Sequence, residues 1–351
     1  MHKKFMKLAL SMMFPLFLLV PVTFAKTVKV KLVSSFPIKL PVGGPAFSYF
    51  LDAVKVSSDN DIRIKWYDPG KLVPGSAVLD TVSKGLAQMG ITTTEYNAGK
   101  IPALPFFKNV PFGPDMPERM AWLLRGNGLK LWQELYDKAG YNVKVFPIIQ
   151  IPSESVGWFA KPLPEDGNLN GLKMRVGGMA AKVFEKMGAS VSFMPMGDVF
   201  TALERGALDA VELSFPSLDA VYGFHRILKY NYFPGFHTPT GTIELLINKD
   251  VWEKQFTARQ RMIIETVSLA TVLRSMAIGE AEQADTINKN VMERGVKNMM
   301  ISPALMMKFR EAWAEVVKEE SAKDPMFKKI WDDLSAFRAN YKRWGDIRFI
   351  Q

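Results

Sequence analysis

The feature that most constrains the fold is the run from residue 171 to 219, GLKMRVGGMAAKVFEKMGASVSFMPMGDVFTALERGALDAVELSFPSLD. Short apolar runs alternate with helical patterns, and Gly or Pro punctuates the turns, so the order predicted is strand, helix, strand, helix, strand. Parallel strands need helical crossovers, so this alternation predicts an α/β lobe. Ligands of such lobes sit beyond the carboxyl ends of the strands. Arg175 stands there, just before Gly177-Gly178 and a helix, and Glu212 closes the run 208–212. A planar guanidinium suits a carboxylate because its fork makes two parallel charge-assisted hydrogen bonds. The alternative at this point is that Arg175 and Glu212 form a surface ion pair.

The earlier chain has the same grammar. Strands are expected at 28–33, 62–67 and 89–93 and helices at 46–58 and 78–84, the latter ended by Gly85. Glu95, Tyr96 and Asn97 follow the third strand. Segment 79–92 resembles segment 200–213: a helix ends at Lys/Arg-Gly, and a strand then delivers polar groups to its end. Two lobes built alike would face each other across a cleft, where pockets concentrate. Residues 92–97 and 212–215 would share it.

The rest fits around these lobes. Residues 102–117, rich in Pro and Phe, read as an ordered loop, and 119–139 as one helix. Strands are expected at 141–149, leading into the second lobe, at 155–160, and at 240–248, crossing between lobes. A helix over 257–293, with Thr257 as its N-cap, far exceeds average helix length. Two further helices, 303–321 and 324–341, are rich in Trp and Phe.

Composition removes several classes. The chain has no Cys, which excludes disulfides and thiolate metal sites, and three His, too few for a histidine cluster. At the N-terminus Lys3, Lys4 and Lys7 precede an apolar run, and Thr23-Phe24-Ala25 offers small residues for cleavage, so residues 1–25 read as a secretory signal peptide. The net charge is +10, of which those lysines supply part. Nucleic acid is set aside because the chain is exported and its charges are mixed along its length.

Residues 171–175 and 203–212, together with Gly157-Trp158-Phe159 and the aromatic segment 229–237, resemble the solute-binding subunits of tripartite ATP-independent periplasmic (TRAP) transporters. The likeness spans nearly the whole mature chain and looks closest to the branch that binds 2-oxo acids. It implies an α/β, two-lobed periplasmic binding protein fold of type II-like form, with a long helix spanning both lobes. Residues 26–150 would give the first part of lobe I and 151–240 lobe II. Residues 241–351 would supply the crossing strand, the spanning helix and C-terminal helices completing lobe I and the hinge.

The resemblance makes Arg175 the carboxylate clamp. In the 2-oxo-acid branch a cation bridges ligand and protein, held by a Gln, a Glu and a Trp carbonyl; here those positions are Glu154, Glu212 and Leu213. Two carboxylates at one point repel unless a cation lies between them, so a metal, Ca or Na, is expected at Glu154 and Glu212 with the Leu213 carbonyl. The alternatives are a cationic or hydroxyl-bearing ligand facing Glu154, or a Glu154 turned to solvent. Leu213 in place of Trp widens the pocket, which Phe215, Phe236 and His237 would refill. Tyr96 and Trp158 are further lining candidates, each open to a packing role instead.

No Gly-x-Ser-x-Gly or His-Glu-x-x-His occurs, and Gly177-Gly178 lacks the spacing of a dinucleotide fingerprint, so no enzyme and no organic cofactor is expected. The expectation is a periplasmic subunit that captures a 2-oxo or 2-hydroxy carboxylate and passes it to membrane subunits of a TRAP transporter. A binding protein of another transporter or receptor, taking a dicarboxylate, sulfonate or amine-bearing ligand, is the alternative. The C-terminal helices could pack on this chain or on a second copy, which leaves a homodimer open.

Overall fold

A computed structural model describes residues 27–194 and 196–348; the leader expected at 1–25 lies outside them. The first part of the chain runs β1 (Val28–Ser34), α1 (Gly43–Ser57), β2 (Ile62–Tyr67), α2 (Val78–Ser83), β3 (Met89–Thr92), α3 (Met116–Arg125), α4 (Gly128–Lys138) and β4 (Val143–Ile151). The middle runs β5 (Gly157–Phe159), β6 (Lys173–Arg175), α5 (Gly178–Lys186), β7 (Ser190–Ser192), α6 (Met196–Glu204), β8 (Ala210–Val211), α7 (Pro216–Tyr222) and β9 (Tyr230–Phe233). The remainder is β10 (Gly241–Asn248), α8 (Lys249–Lys254), α9 (Ala258–Met292), β11 (Lys297–Met300), α10 (Pro303–Lys323) and α11 (Pro325–Gly345).

Two sheets result, ordered β2-β1-β3-β10-β4 and β11-β9-β5-β8-β6-β7. β1 lies parallel to β2 and β3, as a crossover-linked set must. β10 is buried at every residue because it lies between β3 and β4, antiparallel to both. In the second sheet β6 is parallel to β7 and β8, so the carboxyl end of β6 places Arg175 beside the end of β8 and Glu212.

The chain passes between the sheets at residues 152–156 and 234–240, and the two passages touch. The Glu154 N–H donates to the Thr238 carbonyl at 3.1 Å. They run so close at Gly235 that a Cβ there would lie 2.0 Å from the Glu154 carbonyl oxygen. The long helix α9 begins with the expected Thr257 cap, completed as a capping box by Gln260. It packs on α1 and β4 of the first half and on α7 of the second. α10 packs on α5, and α11 on α3 and α4, so the C-terminal helices clasp both halves.

Three expectations differ from the structure. The helix expected over 119–139 is two helices. The break at Gly126-Asn127 lets the Trp122 indole and the Asn127 amide both donate to the Asp333 carboxylate of α11, at 2.8 and 2.7 Å. The strand expected to cross between lobes, β10, stays within the first sheet; residues 234–240 make the crossing. Residues 297–300, in the segment assigned to lobe I and the hinge, instead add β11 to the second sheet, parallel to β9. The similarity of 79–92 to 200–213 corresponds to equivalent geometry: α2 and α6 both end at left-handed glycines, Gly85 (φ 73°) and Gly206 (φ 67°), before β3 and β8.

Candidate functional site

A cleft of about 740 Å³, open mouth included, lies between the two halves. Arg175, Glu154, Glu212, Leu213, Phe215 and Tyr96 all line it, together with Glu95, Lys108 and Phe193. Arg175 is held firmly. Its Nη1 donates to the Glu212 carbonyl at 2.5 Å and lies 3.8 Å from the Glu212 carboxylate, and its guanidinium lies 4.9 Å from the Phe193 ring centre. Gly177 makes room for that ring, which would meet an added Cβ at 2.8 Å. Across the cleft the Tyr96 ring is 6.1 Å from Phe193. Burial raises the Tyr96 hydroxyl above its usual range, against the pull of Arg175, so it remains an O–H donor.

Glu154 is fully buried rather than turned to solvent. Its Oε1 accepts from Lys108 Nζ at 3.1 Å and from Ser214 Oγ at 3.2 Å. Lys108 also reaches Glu95 at 3.7 Å. Burial would raise Glu154, but the Lys108 ammonium and His237 outweigh it and hold the carboxyl down at about 2. Burial would likewise lower Lys108, yet Glu154 and Glu95 raise it, so it is an ammonium at any physiological pH. Glu95 moves the other way, raised by burial.

His237 lies beneath the cleft, its Nε2 3.4 Å from both Glu154 Oε2 and Glu212 Oε1. At that length these are ion-pair contacts rather than well-aligned hydrogen bonds, and Glu154 Oε2 and His237 Nε2 have no hydrogen-bond partner. Burial lowers the imidazole, but the two carboxylates outweigh it and hold it up at about 9. Ligand atoms of Glu154, Glu212 and His237 lie within 4.8 Å of one another. Two carboxylate oxygens and an imidazole nitrogen, two of these atoms lacking a hydrogen-bond partner, form a donor set that fits a cation.

Trp158 and Phe236 sit behind the site rather than in the cleft wall. The Trp158 indole donates to Asp219 Oδ2 at 2.8 Å in the second half's core; burial pushes that carboxyl well above its usual range, despite the hydrogen bond. Phe236 stacks on Phe309 and Phe112, with centroids at 4.3 and 5.0 Å.

Lys108 is a site residue that periodicity does not signal, because it falls in the Pro- and Phe-rich loop. That loop is rigid: Phe107 stacks between Trp122 and Trp132, at 5.6 and 5.0 Å, and Arg119 Nη1 donates to the Phe106 and Phe107 carbonyls at 3.2 and 3.3 Å. The one clue in the sequence is a lone lysine inside an apolar run, LPFFKNVPF, at 104–112. Glu95 was placed at a strand end by its sequence, but its partner was not. It approaches the first turn of α5 in the other half, where a Cβ on Gly178 (φ 60°) would lie 2.7 Å from Glu95 Oε1. A carboxylate there meets the unpaired N–H groups of a helix start.

Two α/β halves joined by paired crossings, with a buried guanidinium facing the space between them, define a solute receptor. The chain belongs to the bacterial extracellular solute-binding protein family 7, whose model matches residues 35–324. It is 32% identical over 289 residues to a monocarboxylate 2-oxoacid-binding periplasmic protein of Nostoc sp. (strain PCC 7120), covering 81% of this chain and 77% of that one. Among solved structures, it resembles a TRAP transporter solute-binding protein of Bordetella bronchiseptica RB50, a mixed-occupancy dimer with calcium and picolinate. The TM-score is 0.86 and the identity 27%, over 92% of this chain and 95% of that one. It also resembles a TRAP solute-binding protein of Pseudoalteromonas atlantica T6c with sodium and pyruvate, at TM-score 0.84 and 28% identity, over 91% and 96%.

Proposed function

We propose that this protein is the periplasmic subunit of a TRAP transporter that captures a small organic acid, a 2-oxo or 2-hydroxy carboxylate, and hands it to membrane subunits. The observation that carries this reading is Arg175: a buried guanidinium, fixed through one nitrogen on the Glu212 carbonyl, at the wall of a cleft between two halves. The fork orients a carboxylate in one plane, and the Tyr96 hydroxyl is available as a further donor. Glu154, Glu212 and His237, with the Leu213 carbonyl, would hold a cation bound with the acid; the relatives that carry calcium or sodium beside picolinate or pyruvate support this. When bound, the cation supplies positive charge to the ligand's oxygens and offsets the paired carboxylates. With Lys108, Arg175 and a protonated His237 facing Glu95, Glu154 and Glu212, acidic and basic groups already balance. Gaining a divalent cation therefore favours gaining an anion as well.

The protein binds rather than transforms its acid. Family relatives are solute receptors, and the cleft's groups are tied to one another in ion pairs. The leader at 1–25 would direct export and be removed near Ala25, and a homodimer is the assembly suggested by the Bordetella relative. Denaturing the purified protein and identifying the released molecule by mass spectrometry tests the reading. An organic acid is expected, released together with stoichiometric Ca or Na. A sugar, an amine or a peptide would refute it. Incubation with candidate acids should return them unchanged.

A further inference from the structure

The cleft is chemically two-sided. Its charged side chains form one ion-paired group: Lys108 with Glu154 and Glu95, and Arg175 with Glu212. Its other lining residues include Phe36, Leu40, Phe47, Ile149, Leu218 and Ile243. These belong to, or pack against, a single hydrophobic cluster that runs from the first sheet through α1 to α7. The segment roofing this side is strained. Val42, fully buried, has φ 60° and ψ −59°, and the Gly43 N–H donates to the Pro41 carbonyl at 2.5 Å. That is the rare γ-turn, in a residue type that seldom takes positive φ. Such strain persists only where packing over-determines it, so residues 36–44 are pinned over the cleft rather than free to retreat.

We propose that this apolar half is a subsite for the ligand's tail, so that the solute is a monocarboxylate with a branched aliphatic or aromatic side chain of about three to six carbons. The inference rests on the organic-acid reading above. One guanidinium serves one carboxylate, and the opposite wall presents phenyl and aliphatic groups that cannot satisfy a second one. Leu213 adds to the room at the boundary between the two sides. Burying one more carbon against such a wall tightens binding about fourfold, the equivalent of about 0.8 kcal/mol.

The test is a calorimetric series on the mature protein with calcium present: pyruvate, 2-oxobutanoate, 2-oxopentanoate, 4-methyl-2-oxopentanoate, phenylpyruvate and 2-oxoglutarate. Dissociation constants are expected to fall about fourfold per added carbon, so that 4-methyl-2-oxopentanoate binds some fiftyfold more tightly than pyruvate. 2-Oxoglutarate should bind at least a hundredfold more weakly than 4-methyl-2-oxopentanoate. In Leu40→Ala, on the half-buried loop, the pyruvate-to-4-methyl-2-oxopentanoate ratio should shrink several-fold. Pyruvate bound as tightly as the longer acids, or 2-oxoglutarate bound best, overturns the tail subsite and leaves the organic-acid reading standing. If none of the acids binds, the organic-acid reading itself falls, and this inference falls with it.

Discussion

Arg175→Ala is the perturbation that probes the site most directly. The side chain is only 4% exposed, and its partners are in place before any ligand arrives: the Glu212 carbonyl at 2.5 Å and the Phe193 ring at 4.9 Å. Little reorganisation is therefore needed on binding. Two charge-assisted bonds to a carboxylate, at about 1.5–3 kcal/mol each, would be lost together. The expected loss is about 3–5 kcal/mol, or roughly two to four decades in Kd. Arg175→Lys keeps the charge but replaces a fork with a point, and should recover only part of this. Removing the guanidinium also leaves the Glu212 carbonyl without its donor, so a lowered Tm is expected alongside. Near-ultraviolet circular dichroism and Tm establish that the variant is folded, and titration calorimetry with the acid released from the native protein reads the affinity. A folded Arg175→Ala protein with native Kd would refute the assignment of the clamp.

Further outcomes follow from other contacts. Lys108→Met alone strands the Glu154 carboxylate without its 3.1 Å partner and should cost about 3–5 kcal/mol of stability, whereas Lys108→Met with Glu154→Gln should regain much of it; additive losses in denaturant unfolding would contradict this pairing. Gly235→Ala should cost about 1–3 kcal/mol and weaken ligand binding at least tenfold, because the Cβ displaces the Glu154 backbone; native behaviour in melting and binding would contradict the close crossing. Glu244, fully buried and hydrogen-bonded by the Tyr136 hydroxyl at 2.6 Å, is pushed up by burial to about 8. The folded state thus keeps a proton that the unfolded chain releases. This stabilisation is complete below about pH 4.5 and is lost as pH rises towards 8. Wild-type Tm relative to that of Glu244→Gln should therefore fall between pH 5 and pH 8, and a constant difference would argue against a neutral carboxyl there.

Much of the architecture could be read from periodicity, because the signals were local. The alternation through residues 171–219, the Thr257 cap and the proline-opened C-terminal helices each specify their own neighbourhood. The break between α3 and α4 could not be read, since it depends on Asp333, two hundred residues away. β11 was missed because a four-residue strand with mostly exposed side chains has no apolar face to announce it. At the site, Arg175, Glu154, Glu212, Tyr96 and Phe215 do share one cleft, as strand-end positions suggested. The part that sequence hid is the partnering. Lys108 comes to Glu154 through a stacked aromatic loop, and His237 comes between Glu154 and Glu212 through the second crossing. Both are meetings of residues far apart in the chain, set by tertiary packing rather than by spacing.

The position of Glu154 on the first crossing, laced to the second through the Thr238 carbonyl, has a consequence for opening. A point on an axle sweeps a short arc. If the halves swing apart about these two straps, Arg175 and Glu212 travel with the far half, while Glu154 and Lys108 hardly move. The empty receptor would then keep one corner of its binding chemistry permanently assembled, and an arriving acid would meet that corner first and draw the guanidinium across to it.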